Sequence, residues 1–396
     1  MKNVLTGSVA LLAAAAVVAG GQLETIDARL LAGEVVSISA ERVLLKTKQG
    51  KQAVPLGEVV EISLAKASDA MATVGRSVVT TSFGDLLAVS DVTSDGTRLQ
   101  ATGPLLGSVK LPMEAVRTLY LPGATQSPRD IENRLEEMDL ADASGDRIIV
   151  SRKGKQALAI DGVLEALGRK KVRFRWKDSS RTVDRATVPL VRLAVVGTKT
   201  SAHSGTLLGR EGSQLHFTAL TLEGTSIRLD SPAVGKQTVP VSRVAGIRFA
   251  SSNVVRLADL KPSAVKEHGF FDTTFHYRAN RSVSGRRLRL AGRTYRTGLG
   301  LHSFCELTYP LDEQYTQLVA MAGIDDGVRP HGDATLTFLG DGKPLGKPLR
   351  LTGKGAPEAI RLKLDGVKTL VIRADFGPDG LGFSDHVDLA GARLIK

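Results

Sequence analysis

A pattern built on proline recurs four times between residues 24 and 250, and it narrows what that stretch can fold into. It reads apolar-Pro-apolar, with further apolar residues four and seven positions after the proline. It appears at Val54-Pro55-Leu56 with Val59 and Ile62, and at Leu111-Pro112-Met113 with Val116 and Leu119. It returns at Val188-Pro189-Leu190 with Leu193 and Val196, and at Val239-Pro240-Val241 with Val244 and Ile247. Proline lacks an N–H, so it suits the start or edge of a strand, or a short 3₁₀ turn just before one. Short β-branched or aliphatic runs surround it, such as Val35-Val36-Ser37-Ile38 and Val43-Leu44-Leu45, and Gln49-Gly50-Lys51 makes a hairpin turn. Helical stripes are nearly absent. The expectation is a mainly β chain that begins with small SH3-like or Sm-like β-barrel modules packed in series, two over 24–122 and two over 143–250.

One helix interrupts them, over 123–142. Ser127 caps it, Pro128 takes its first position, and Ile131, Leu135 and Met138 share a face, which predicts a linker strut. In the third module Val172, Phe174 and Trp176 alternate with Arg173, Arg175 and Lys177. The apolar set, with the only Trp, is expected to face the core. The basic set is either a solvated face or a grip on an anionic polymer.

The first 20 residues read as a signal peptide. Lys2 precedes an apolar run from Val9 to Ala19, too short to span a bilayer that needs about 20 residues, with Val17 and Ala19 suited to signal peptidase. No later segment is long and apolar enough to cross a membrane as a helix, so an exported protein (periplasmic, envelope-associated or extracellular) is expected. The net charge is +12, and it is spread out: residues 251–396 hold 21 Lys/Arg against 16 Asp/Glu. That argues against a dedicated nucleic-acid domain, which concentrates its basic excess on one face or tail. A single cysteine, Cys305, rules out an intrachain disulfide framework and reads as a core residue.

Residues 253–396 have another texture. They carry 11 of the 17 aromatic residues, and Gly/Asp-rich turns separate strands such as Leu318-Val319-Ala320-Met321 and Leu370-Val371-Ile372-Arg373. Strands at this spacing without helices predict an antiparallel sandwich. Tyr295-Arg296-Thr297-Gly298-Leu299-Gly300-Leu301-His302-Ser303, Gly323-Ile324-Asp325-Asp326, Asp341-Gly342-Lys343, Leu364-Asp365-Gly366-Val367-Lys368 and Asp385-His386-Val387-Asp388-Leu389 follow one another in the order of a known family. The opening Leu257-Ala258-Asp259-Leu260-Lys261-Pro262 fits its lead-in. In these motifs the segment resembles the NPCBM family of carbohydrate-binding modules, over about a third of the chain. The resemblance implies a galactose-binding-like jelly-roll sandwich, often with a structural Ca²⁺, that recognises sugars through loops at one end. Leu389 stands where the family has its closing Trp.

The candidate carbohydrate contacts are His302, Tyr295, Arg296, Asp385, His386, Asp388 and Phe383, with Tyr277 and Phe376 as further aromatic surfaces. Asp325 and Asp326, adjacent on a turn, could hold Ca²⁺ through oxygen ligands or bond turn N–H groups. Arg281, Arg286, Arg287, Arg289 and Arg293 could select an acidic glycan through bidentate pairing, or form a solvated face. No nucleophile elbow, zinc-binding His-Glu-x-x-His, phosphate-cradling loop or CxxC is present, so no enzyme is expected. The expected role is an exported, non-catalytic glycan-binding protein for a galactose-type or acidic glycan, with the modules as scaffold. The alternatives are an envelope assembly protein that docks other envelope proteins, and an accessory subunit of a polysaccharide-degrading system.

Overall fold

A computed structural model describes residues 21–27, 29–64, 76–121, 145–152, 155–194, 203–269 and 273–396. The signal segment and the 123–142 helix therefore lie outside the described residues. The chain divides into two units, one of residues up to Leu23 with Leu31–Phe249, the other of Glu24–Leu30 with Ala250–Lys396.

In the first unit one succession of elements occurs four times: a strand, a three-residue 3₁₀ turn and a further strand. The turns are Leu56–Glu58, Met113–Ala115, Arg185–Thr187 and Val241–Arg243. In each, the first turn residue donates its N–H backwards: Leu56 to Glu41, Met113 to Thr97, Arg185 to Lys170 and Val241 to Thr225. The residue that precedes the turn is Pro55, Pro112, Asp184 and Pro240 respectively. The third frame thus differs from the sequence expectation. Asp184, at φ −68, fills the place held elsewhere by proline, and Val183, Val188 and Val191 are the matching apolar positions. Pro189 follows Val188 and accepts a hydrogen bond from the Leu121 N–H. The Asp184 frame keeps the apolar positions before the turn and four and seven residues on, with Arg185 in the remaining one, and the turn requires only φ near −65°, which aspartate can adopt.

The modules are also not laid out in series. The last strand of the first, Val59–Ser63, pairs with that of the fourth, Val244–Phe249, with Ile62 opposite Ile247. The last strand of the second, Val116–Tyr120, pairs with Leu190–Arg192 of the third, with Leu119 opposite Val191. Both seams are antiparallel and join the same position of the pattern to itself. All four residues are fully buried, in one core cluster that draws on all four modules. Edge strands need partners, and here the partner is another module rather than solvent.

The alternation read in the third module holds for Val172 and Phe174, which are buried, and for Arg173 and Arg175, which are exposed. Trp176 departs from it. At the hairpin tip the core has ended, so the indole is 44% exposed, with the Lys177 ammonium 5.1 Å from its ring centre.

The second unit is a β-sandwich of two antiparallel sheets, each six-stranded among the described residues. One centres on His386–Ile395, flanked by Gly298–His302 and Gln317–Ile324. The other centres on Thr369–Phe376, flanked by Cys305–Pro310 and Asp333–Gly340. Leu299, Leu301, Leu318 and Val387 of the first face Leu307, Tyr309, Leu336 and Ile372 of the second in one core. Cys305 is fully buried there, and burial followed by Glu267 pushes its thiol up, away from thiolate. Leu389 is fully buried in the same core, so the side chain at this position bears on packing and not on sugar stacking.

A strap, Glu24–Leu30, groups with this unit. Arg393, on the central strand and only 3% exposed, donates to Glu24 Oε1 at 2.6 Å, to the Thr25 carbonyl at 2.9 Å and to the Ile26 carbonyl at 3.0 Å. Arg293 donates to Glu24 Oε2 at 2.7 Å. A single carboxylate thereby holds two guanidiniums.

Candidate functional site

The strands Gly298–His302 and His386–Ile395 pair so that His302 lies directly opposite His386 at one end of the sandwich. The Gly-rich entry makes the approach possible. A Cβ at Gly300 would fall 2.3 Å from the Arg281 carbonyl, and Gly298 sits at φ +138 with its place for a Cβ 2.5 Å from the Leu389 carbonyl. Phe275 stacks on the His302 ring at 4.3 Å between centres, and His386 meets His302 edge-on at 5.4 Å. The three rings form one cluster. Phe275 is 39% exposed, and Phe383, three residues before His386, is 82% exposed.

His302 Nδ1–H donates to the Ser303 carbonyl at 2.6 Å, which leaves Nε2 as an acceptor. Burial pulls both imidazoles below the ordinary histidine value, partly offset at His386 by the Asp325 charge and at His302 by the Ser303 bond. At neutral pH they are uncharged rings, each with a polar edge and an apolar face. Such a group suits the apolar face and hydroxyl rim of a pyranose. Asp385 is fully buried behind them: Ser303 Oγ–H donates to it at 2.6 Å and the Asp333 N–H at 2.9 Å. Burial raises its pKa to about 6. It positions the Ser303 turn and does not reach outwards.

The other acids at this end are committed to the fold. Asp388, proposed as a sugar contact, is fully buried; its Oδ2 accepts the Arg289 N–H at 2.9 Å. Burial first, then Asp325, pushes this carboxyl well above the ordinary carboxylate value. Asp325 and Asp326 are engaged separately. Asp325 caps its own turn by accepting the Gly327 N–H at 2.8 Å. Asp326 accepts the Ala291 and Gly292 N–H groups at 2.9 and 2.7 Å, with Arg289 at 3.5 Å and Arg329 at 3.9 Å. Two guanidiniums beside a carboxylate oppose a second cation. Among the described residues, no group of three or more His, Cys, Asp or Glu is arranged to hold a metal ion.

Tyr295 and Arg296 stand apart from the histidines. They adjoin Gly298, which lies opposite Ala390, four residues along the strand from His302, or roughly 13 Å. Tyr295 carries the Arg293 guanidinium over its ring at 4.5 Å. The arginines of this hairpin do not form one patch: Arg293 is committed to Glu24 and Arg287 is half-buried, while Arg286 and Arg289 are exposed. Phe275 was missed because its stretch has no strand periodicity. The only signal was its place in the aromatic run Phe275-His276-Tyr277.

Residues 253–395 match the model of the NPCBM/NEW2 domain. The match spans the sandwich nearly from end to end, about a third of the chain. A Renibacterium salmoninarum protein assigned as an endo-alpha-N-acetylgalactosaminidase is 36% identical over 84 residues, 21% of this chain; the chain spans 6% of that relative's length. Among solved structures, the CBM51 of the family 95 glycoside hydrolase from Clostridium perfringens, in complex with methyl-galactose, is 21% identical. That match covers 36% of this chain and 99% of the other, with a TM-score of 0.32. The tandem CBM51 modules of the family 98 glycoside hydrolase from Streptococcus pneumoniae are 11% identical, over 94% of this chain and 87% of theirs, with a TM-score of 0.30. Among the described residues no helix is long and apolar enough to cross a membrane.

Proposed function

We propose that this is an exported, non-catalytic glycan-binding protein whose sandwich holds a neutral, galactose-type sugar at the end marked by His302, His386, Phe275 and Phe383. The observation that carries the reading is the cluster of uncharged rings of Phe275, His302 and His386, with an 82% exposed phenylalanine three residues before His386 in the chain. Neutral imidazoles and buried carboxylates favour an uncharged ligand at this end over a uronic acid. The absence of catalysis is supported by the commitments of the nearby acids: Asp385 and Asp388 are fully buried, whereas glycoside hydrolysis needs two carboxylates facing a cleft. The four linked modules serve as scaffold, and their order of strands and turns supports repeats of one SH3-like unit. A second role, as accessory to a glycan-degrading system, is favoured by the likeness to the Renibacterium salmoninarum relative.

The test is a glycan array on the full chain, with and without Ca²⁺. Binding to neutral galactose-type glycans is expected, independent of Ca²⁺ and little affected by salt. Phe383→Ala and His302→Ala should each weaken it by about tenfold, the equivalent of ~1.4 kcal/mol. Failure to bind any neutral glycan, or binding that survives both substitutions, would reject this assignment.

A further inference from the structure

We propose that the solvent face of the sheet formed by Asp91–Ser94, Arg98–Gly103 and Gly107–Pro112 is a second binding site, for an acidic polysaccharide recognised through its carboxylate or sulfate groups. It lies in the first unit and is independent of the sugar site in the sandwich. Along these strands Val92, Leu99, Ala101, Val109 and Leu111 are buried in the core, so Thr93, Arg98, Gln100 and Lys110 face outwards. They line an open groove of about 330 Å³ together with Ser94 and Asp95.

The register sets the order of groups across this groove. Thr93 lies opposite Gln100, and Gln100 opposite Lys110, so a hydroxyl, an amide and an ammonium stand in a row at strand spacing, ~4.8 Å apart. Arg98 stands two residues from Gln100 on the same face, ~7 Å away. Arg98 and Lys110 have no acidic partner among the described residues. The one carboxylate in the groove, Asp95, uses Oδ1 to accept the Thr97 and Arg98 N–H groups and the Thr97 hydroxyl, each at 2.8 Å, and is spent on its turn. The groove therefore offers mainly donors, with two cations against one committed anion.

Its chemistry separates the possible ligands. No aromatic side chain lines it, so it lacks the stacking surface by which proteins hold neutral sugars or unpaired bases. Arginine and lysine beside amide and hydroxyl donors match an anionic group on a polyhydroxylated chain. The same sheet continues beyond the groove, which favours a polymer over a small ion. Arg169 bridges to Asp91 at 2.9 Å, and on Lys171–Trp176 both Arg173 and Arg175 face solvent. Arg173 pairs with Glu165 at 3.4 Å, while Arg175 has no acidic partner among the described residues. The basic set noted in the third module thus extends this track.

The experiment uses the full chain and labelled polygalacturonate and chondroitin sulfate at low and high salt, with neutral galactan and single-stranded DNA alongside. Both acidic polymers should bind at low salt and weaken as salt screens the contacts. The charge-reversed double variant Arg98→Glu/Lys110→Glu should lose at least about tenfold in affinity for them, with an unchanged melting temperature and unchanged neutral-glycan binding. His302→Ala should leave acidic-polymer binding intact, so the two sites fail separately. The proposal is overturned if neither acidic polymer binds at low salt, or if the double variant stays within about twofold of the parent. DNA bound more tightly than both polysaccharides would also overturn it, in favour of a nucleic-acid surface.

Discussion

At Asp385 a carboxyl with a pKa of about 6 in the fold, against 3.8 ordinarily, keeps its proton more tightly folded than unfolded. By linkage, its contribution to stability is full below about pH 3.8 and is lost as pH rises through about 6. Asp385→Asn cannot ionise, yet it can still accept the Asp333 N–H and donate to Ser303. The variant should therefore gain on the wild type between about pH 4 and 6 and hold a constant difference above that. Urea unfolding across this range, followed by a probe in the sandwich, reads the effect; a difference that is flat or falls with pH would remove Asp385 as its source. The two histidines titrate the other way, since burial lowers their values and their contribution is lost as pH falls below about 6.5. The sequence made His302 and His386 legible because each closes a motif at a strand end. It could not grade the acids. Asp385 and Asp388 have the residue type of a sugar contact, but only the fold reveals that both are fully buried and that one supports a turn while the other accepts the Arg289 N–H.

At the level of elements, the proline pattern announced a turn that the structure places before the last strand of each module, because a residue with φ near −65° is what the turn needs. It misled in the third module, where Asp184 does that work at φ −68. Asp184→Pro should accordingly be tolerated. The gain of about 0.4–1 kcal/mol from a stiffer unfolded chain is offset by loss of the exposed pair with Lys171, worth about 0–1 kcal/mol. Chemical denaturation that showed a loss well beyond 1 kcal/mol would contradict the assigned frame. The seams are a sharper case. Ile247 and Ile62 meet with no exposure, so Ile247→Ala should cost about 2–5 kcal/mol and loosen the first module as well as its own. Hydrogen exchange should then rise in Val59–Ser63; faster exchange confined to the fourth module would contradict the pairing. Which modules pair was not readable beforehand, because a repeat carries the same edge signal in every copy.

At the level of the whole molecule, the sandwich is built from two distant pieces of chain. Arg393 is only 3% exposed, and it meets Glu24 across 369 residues of sequence. Removing the carboxylate strands a buried guanidinium, so Glu24→Ala should destabilise the sandwich by about 3 kcal/mol, the low end for such pairs because three carbonyls still accept from Arg393. A fragment of residues 253–396 should melt below the same sandwich in the full chain. Arg393→Met should be nearly neutral in the fragment, where without the strap the guanidinium meets water, and destabilising in the full chain, where it breaks the pair with Glu24. Calorimetry of both pairs reads this directly, and an equal loss in both would dismiss the strap as an integral part. The strap also imposes a timetable. A ribosome that adds about 5–20 residues per second delivers Glu24 some 20–70 s before Arg393. For that interval the strap has no guanidinium to hold, and residues made early wait for a domain made after them.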